Sequence, residues 1–288
     1  MEFLFQQVFN GVTIGSVYSL VALGLTLIFG ILHVPNFAHG AMYMIGAYLT
    51  LTVMTAMGVH YWLAVGISIL MVALLAIITE RLVFSRLDQN NPLPMMIAAI
   101  GILFFLEAFA HLVWGSQYQR MVTPYGESIN FLGMTVTLQR LIIIGAALFL
   151  MLILHLFLTR TMTGSSIVAM AQNREGAFLV GINANKVAML TFAIAGGLAA
   201  AAASLAAPIN LVYPSMGNLV IMKAFVIIIL GGMGSIPGAI VGGYILGISE
   251  SLGATYISAE YSDLIAFVLL VLILTVKPTG LFVRGVQG

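Results

Sequence analysis

Long apolar runs recur from one end of the chain to the other, and they constrain its fold more than any other feature. A helix that crosses a bilayer needs about 20 mostly apolar residues, because its backbone polar groups must be satisfied within the segment. A transmembrane barrel would show shorter, alternating segments instead. We therefore predict an all-α, polytopic membrane protein with eight or nine spans. They are expected near residues 10–31, 41–57, 61–80, 95–114, 138–158, 188–207, 219–232, 236–256 and 262–277.

The composition supports this fold class and excludes several functions. Only 7% of the 288 residues are charged, whereas 61% are hydrophobic, so a water-soluble enzyme is excluded. The net charge of +1 gives no reason to expect nucleic acid as a partner, and membrane lipid is the expected surrounding. The chain has no Cys, and His33 and His39 have no Asp or Glu between them. We therefore expect neither a metal site nor a cofactor.

The distribution of Lys and Arg indicates the orientation of the chain. Cytoplasmic loops of membrane proteins carry an excess of these residues. Placing the three most basic stretches inside leaves the N-terminus outside and the C-terminus in the cytoplasm, with Arg120 and Arg140 as exceptions. The loops are too short to fold alone, so residues 1–288 are expected to form a single membrane domain. The cations of the inner stretches are Arg81, Arg86, Arg160, Arg174, Lys186, Lys277 and Arg284.

Few ionisable residues fall deep within the predicted spans, where charge is costly to keep. Glu107, Lys223 and Glu250 lie on three different spans, all toward the outer side in this orientation. We predict a charge network in which Lys223 lies between the two carboxylates, because pairing neutralises buried charges. His111 follows Glu107 by four residues and shares its helix face. The network could serve packing alone or the path of a transported solute.

The first span is unusually polar. Asn10, Thr13 and Ser16 follow one another in three-residue steps, which suits a helix that lines a wet cavity or one that hydrogen-bonds to its neighbours. In the segment 33–40 that comes next, Pro35 interrupts any helix. Irregular backbone at membrane depth must be covered by protein or lie along water, so we expect Asn36 and His39 to lie near a pathway or its cytoplasmic mouth.

A glycine-rich segment between two predicted spans suggests conformational change. The segment 231–243 is rich in glycine and is predicted to be a hinge between two spans, without the G-x-x-x-x-G-K-[ST] pattern of a phosphate-binding loop. This chain is therefore not expected to be an enzyme, and any pumping must draw energy from a partner or an ion gradient. The hinge residues are Gly231, Gly232, Gly234, Pro237 and Gly238.

The cytoplasmic stretch 159–187 is the one most suited to a protein partner. Ser165 or Ser166 is predicted to cap a short helix that runs to about Leu179 and that Gly181 ends. Such an amphipathic helix could insert into a groove on another protein, which we favour, or lie among lipid headgroups. The residues expected to mediate the contact are Ile167, Ala171, Arg174, Glu175, Phe178 and Gly181.

Several motifs occur in order along the chain and together resemble one family. They begin with VFNGVTIGSVYSLVALGLTLIFGIL and NFAHGAMYMIGAY, continue with REGAFLVGINANKV and GGMGSIPGAIVGG, and finish with VKPTGLF. The sequence resembles the integral-membrane permease of high-affinity branched-chain amino-acid ABC importers from about residue 8 to residue 282.

The resemblance implies a multi-pass subunit of the bacterial cytoplasmic membrane that carries leucine, isoleucine, valine or related small amino acids and performs no covalent chemistry. Its partners would be a second, related permease, two cytoplasmic ATPases and an extracytoplasmic solute-binding protein. Residues 165–183 would correspond to the family's coupling helix. Two alternatives stay open from the residues themselves. An ion- or proton-coupled secondary transporter would use Glu107, His111 and Glu250, and a passive channel would need an oligomeric ring of pore residues, for which the sequence shows no filter-like repeat.

Overall fold

The computed structural model describes residues 2–88, 91–131, 134–277 and 279–282. Their architecture is a bundle of helices with two small two-stranded sheets. The first five helices are α1 (Glu2–Leu32), α2 (Ala38–Met57), α3 (Tyr61–Leu82), α4 (Pro92–Trp114) and α5 (Leu138–Arg160). The remaining helices are α6 (Met162–Gln172), α7 (Arg174–Leu179), α8 (Ala184–Ala206), α9 (Met216–Gly231), α10 (Ile236–Tyr256) and α11 (Ser262–Val276). The strands are β1 (Gln119–Arg120), β2 (Ser128–Phe131), β3 (Met134–Thr137) and β4 (Leu211–Val212).

The predicted all-α membrane fold is confirmed. Within the described residues, seven helices are long and apolar enough to cross a membrane, namely α1 to α5, α8 and α10. The helices α9 and α11 are apolar but shorter, with 16 and 15 residues. Each predicted span coincides with one of these nine helices, and α1 starts eight residues earlier than predicted, at Glu2 rather than at residue 10.

Glycines bring α1 and α10 into close antiparallel contact. A Cβ atom built on Gly11 would lie 2.5 Å from the Cα atom of Ile248, and one on Gly247 would lie 2.4 Å from the backbone nitrogen of Gly15. In lipid, apolar burial does not drive helices together, so close backbone approach and the van der Waals contact it allows take that role. These small residues therefore pack helices within one chain.

Two helices begin inside the bundle. After α1 ends at Leu32, the chain turns back, and His39 in the first turn of α2 donates from Nε2 to the carbonyl of Val21, at 3.1 Å, well before the end of α1. The first turn of α9 packs on the same place, since a Cβ atom on Gly217 would lie 2.2 Å from the carbonyl oxygen of Gly40. The starts of α2 and α9 thus meet within the helical layer, as the irregular segment 33–40 led us to expect for α2.

The small sheets join loops at the end of the bundle where α1 begins. Strands β2 and β3 form an antiparallel hairpin in the connection between α4 and α5. Strand β1 pairs antiparallel with β4, which ties this connection to the segment between α8 and α9. In the orientation predicted from Lys and Arg, this is the extracytoplasmic side.

Candidate functional site

A cavity of about 510 Å³ lies where α1, α2 and α9 meet beneath the segment 207–215. Its volume falls in the range of small-molecule sites. The apolar part of the lining is mostly aliphatic and includes Val17, Leu219 and Val220. The lining residues with polar side chains are Thr13, Tyr18, Tyr43, Asn210, Tyr213 and Lys223.

One ion pair lies at this cavity. The Nζ atom of Lys223 is 3.1 Å from Oε2 of Glu250, and the two side chains are only 15% and 5% exposed. Tyr18 joins them: its hydroxyl accepts from Lys223 at 2.9 Å and donates to the Glu250 carboxylate at 2.8 Å. The three residues come from α9, α10 and α1. The ion pair and Tyr18 therefore link three helices, and the ammonium group at the cavity has its charge balanced by Glu250.

The structure corrects one part of the predicted charge network. Glu107 on α4 accepts a hydrogen bond from Nδ2 of Asn218 at 3.3 Å, five positions before Lys223 on α9. His111 is exposed, and its Nδ1 lies 3.0 Å from the hydroxyl of Ser116. Lys223 is thus paired with Glu250 and Tyr18 rather than held between two carboxylates. The sequence did not single out Tyr18 as a partner of this ion pair. Its one sequence signal is that it carries a hydroxyl in the polar first span, and the direction in which that hydroxyl points depends on helix packing.

The polar residues of the first span diverge. Thr13 lines the cavity. Asn10 instead accepts a hydrogen bond from the Arg140 guanidinium on α5, and the Ser16 hydroxyl lies 3.2 Å from that of Tyr244 on α10. A three-residue step turns a side chain by roughly 60° around the helix, so Asn10 and Ser16 point well apart. Of the two arrangements that the sequence left open, Asn10 and Ser16 show the contacts with neighbouring helices, and Thr13 shows the position at the cavity.

Asn36 and His39 lie in the protein core beside α1, outside the set of residues that line the cavity. The side chain of Asn36 accepts from the backbone nitrogen of Ala38 at 3.1 Å and so satisfies a donor at the start of α2. His39 is tied to Val21. Their contacts hold the break between α1 and α2 in place.

The stretch 159–187 forms two short helices, α6 and α7, between α5 and α8, where the sequence predicted one. Asn173 has an extended backbone, with φ −155° and ψ 103°, and its Oδ1 accepts from the nitrogen of Gly176 at 2.8 Å, so it ends α6 and caps α7. Asn and Asp compete with the helical backbone through such side-chain bonds. Gly181, with φ 82°, ends the unit as predicted.

The two ends of this stretch face in opposite directions. Ile167 is 2% exposed, and the Cβ atom of Ala171 lies 3.2 Å from where a Cβ atom on Gly30 of α1 would be, so both face the bundle rather than a partner surface. Arg174 is half-buried and Glu175 exposed. The strongest outward apolar feature is the run of Phe178, Leu179 and Val180, which are 55%, 90% and 75% exposed. We call these three residues the apolar tip.

The predicted hinge is a tight, braced turn between α9 and α10. A Cβ atom on Gly231 would lie 2.2 Å from the carbonyl oxygen of Gly238, so neither position has room for a side chain. Gly232 and Gly234 have positive φ angles of 101° and 82°, and Pro237 lies in the first turn of α10. Phe282, near the C-terminal end of the chain, donates from its backbone nitrogen to the carbonyl of Gly231 at 3.1 Å. The C-terminal segment therefore fastens the turn.

The ion pair gives a direct test of coupling between α9 and α10. We expect Lys223→Met and Glu250→Gln each to destabilise the protein by roughly 3 kcal/mol, because each leaves an uncompensated polar partner in a buried site. The double variant should lose clearly less than the sum of the two. Thermal melting of the purified chain in detergent measures all three losses. Simple additivity would show that the two side chains do not interact.

Comparisons with known proteins agree over nearly the whole chain. Residues 7–274 match the family model described as branched-chain amino acid transport system / permease component. The chain is 38% identical to the high-affinity branched-chain amino acid transport system permease protein LivH of Salmonella typhimurium, over 98% of this chain and 97% of the relative. It is 36% identical to the corresponding protein BraD of Pseudomonas aeruginosa, over 97% and 95%.

The chain is also similar to a more distant relative and to one solved structure. A probable branched-chain amino acid transport permease protein LivH of Methanocaldococcus jannaschii is 28% identical over 91% of this chain and 87% of that protein. Among solved structures, PsaBC from Streptococcus pneumoniae in complex with Fab matches with a TM-score of 0.53 at 12% identity, over 97% of this chain and 93% of that one. At this identity the structural match describes the fold alone.

Proposed function

The chain belongs to the family of branched-chain amino acid transport permeases, and from this premise we propose that it forms part of the path by which an ATP-driven importer carries leucine, isoleucine or valine. The protein is a multi-pass permease subunit of the inner membrane and is not itself an enzyme. The cargo, the driving subunits and the residues that meet the solute make up the proposal.

The observation that carries the solute path is the cavity between the inner starts of α2 and α9. A branched-chain amino acid is a zwitterion, so it needs donors for its carboxylate, acceptors for its ammonium group and an apolar wall for its side chain. The Asn210 amide and the Thr13 hydroxyl of the lining can accept from the ammonium group. The Lys223 ammonium and the hydroxyls of Tyr43 and Tyr213 provide donors, and the aliphatic lining provides the wall. Because the ammonium is already paired with Glu250, it should bind a carboxylate only weakly, which suits a path rather than a storage site.

The partners follow from family membership and from the exposed surfaces. Permeases of ABC transporters work together with other ABC components. We assign this chain two cytoplasmic ATPases, a second related permease and an extracytoplasmic solute-binding protein. The apolar tip supports an ATPase contact, because three neighbouring exposed apolar side chains on a short capped helix fit a groove on another protein. The β2–β3 hairpin and the β1–β4 pair offer the surface for the binding protein at the opposite end.

The alternative of an ion-coupled carrier acting alone has less support. Its candidate residues do not form one relay among the contacts that the structure gives them: Glu250 is in an ion pair, Glu107 receives a hydrogen bond from Asn218, and His111 is exposed beside Ser116. We therefore keep a single proposed function.

Purification of the tagged chain from its own host tests the proposed assembly. In mild detergent we expect an ATPase and a second permease to accompany it, with ATP hydrolysis in the eluate. Mass spectrometry identifies the subunits. A folded homo-oligomer without an ATPase would contradict the proposal and favour the ion-coupled carrier.

A further inference from the structure

A second cavity, of about 510 Å³, opens at the end of the bundle where α3 ends and α8 begins. We call it the basic cavity. Three cations line it: Arg81 at the end of α3, Arg86 in the 3-10 turn that follows, and Lys186 in the first turn of α8. Glu80 is the acidic residue among its lining, so three positive charges face one negative charge. The basic cavity plays no part in the proposed transport path.

Local contacts fix the shape of this cavity. The ring of Phe84 is fully buried, and its centroid lies 5.2 Å from that of Phe192 on α8, which holds the 3-10 turn across the start of that helix. Asn183 caps α8 by accepting from the backbone nitrogen of Lys186 at 3.1 Å. Of the described residues, no carboxylate lies within 4.0 Å of the cationic groups of Arg81, Arg86 or Lys186. The start of a long helix adds a positive dipole end to these cations.

An apolar groove of about 420 Å³ lies further along the same α3–α8 pair, and the two linings meet along α8 at the consecutive residues Met189 and Leu190. On α8, Lys186 precedes Leu190 by four residues and Ala193 by seven, so all three share one face. On α3, Ile69 and Ala73 share a face with Glu80. The outer wall of the groove is α5, from Leu150 to Phe157.

The length of the groove fits one leaflet of a bilayer. From Leu190 to Ala201, α8 rises by roughly 16 Å, and half of a bilayer's hydrocarbon core is about 15 Å thick. The basic cavity lies at the end predicted to face the cytoplasm, so the groove would start at the headgroup level and run toward the midplane. An acyl chain below a phosphate would have this geometry.

We propose that the basic cavity and the apolar groove form a binding site for one anionic phospholipid of the cytoplasmic leaflet. Arg81, Arg86 and Lys186 bind its phosphate, and one acyl chain lies between α5 and α8. The adjoining groove is the reason to assign a lipid rather than a soluble phosphate, since a free anion would gain nothing from it. Basic pockets between helices on the cytoplasmic side are suited to anionic headgroups.

Native mass spectrometry of the delipidated full-length chain tests this site. Phosphatidylglycerol should be retained in preference to phosphatidylcholine with the same acyl chains. Arg81→Gln combined with Lys186→Gln should weaken its retention by roughly 25-fold, since each cation contributes about fivefold to attraction for an anionic headgroup. The charge-matched control, Arg174→Gln with Lys277→Gln, removes two cations outside the cavity and the groove and should stay within about twofold of the parent.

Further variants separate the two halves of the site. Arg81→Lys with Arg86→Lys keeps both charges and should retain the lipid, which distinguishes charge from folding. Gly197→Leu places a side chain in the groove, where a Cβ atom would meet Ile69 at an ordinary 3.4 Å, and should weaken retention of phosphatidylglycerol. Equal retention of the two lipids, equal losses in the glutamine pairs, or displacement of the lipid by millimolar inorganic phosphate would each overturn the proposal.

Discussion

Gly247→Ala should destabilise the protein by about 3 kcal/mol or more and sharply lower the yield of folded chain. The added methyl would lie 2.4 Å from the nitrogen of Gly15 and 2.6 Å from the carbonyl oxygen of Gly11. Both are backbone atoms of α1, so no side chain can rotate away to make room. The helices must move apart along their length, and the close contact that stabilises them in lipid is lost.

The matched control is Gly145→Ala in α5. A Cβ atom there meets nothing within 4 Å, and the position lies within a helix. Alanine should leave the stability unchanged or raise it by about 0.5–1 kcal/mol, because glycine is the poorer helix former. Melting followed by size-exclusion chromatography in detergent compares the two variants. Equal melting temperatures would refute close α1–α10 packing.

Phe178→Asp combined with Leu179→Asp should abolish both the ATPase contact and transport while the chain remains folded. The two side chains belong to the apolar tip and are exposed in the isolated chain, so charge there costs little without a partner. Buried in the groove of an ATPase, two carboxylates would be desolvated, and we expect binding to weaken by about 100-fold or more.

The measurement is the amount of ATPase recovered with the tagged chain, followed by ATP-driven leucine uptake. Val122→Asp is the control, because Val122 is 83% exposed at the opposite end of the bundle. It should leave ATPase recovery unchanged. Full ATPase recovery with the Phe178→Asp, Leu179→Asp variant would show that the apolar tip does not make the ATPase contact.

The fold was largely predictable from the sequence because hydropathy and chain length dominate the physics of a membrane helix. Every predicted span coincides with a helix, including the short α9. The two-helix form of the cytoplasmic stretch was not predicted, because it depends on the side chain of Asn173 capping α7 instead of continuing α6. Similarly, the inner start of α9 depends on its contact with Gly40, which no local pattern encodes.

The candidate site was only partly predictable. A charge in a span must find a partner, so the pairing of Lys223 with Glu250 follows from the sequence. The place of Glu107 does not, because it depends on how α4 rotates against α9. For the same reason the periodicity of the first span could not decide which residue lines the cavity, as Thr13 does, and which bond to neighbouring helices, as Asn10 and Ser16 do.

Uptake of radiolabelled leucine into proteoliposomes tests the central claim most directly. The complex purified through this chain is reconstituted with its solute-binding protein, with ATP supplied on the ATPase side. We predict uptake that requires ATP, that excess isoleucine and valine compete for, and that survives collapse of ion gradients by ionophores. The purified chain alone should give none. Leucine uptake by the chain alone that disappears when the gradients collapse would contradict the assignment of an ATP-driven importer.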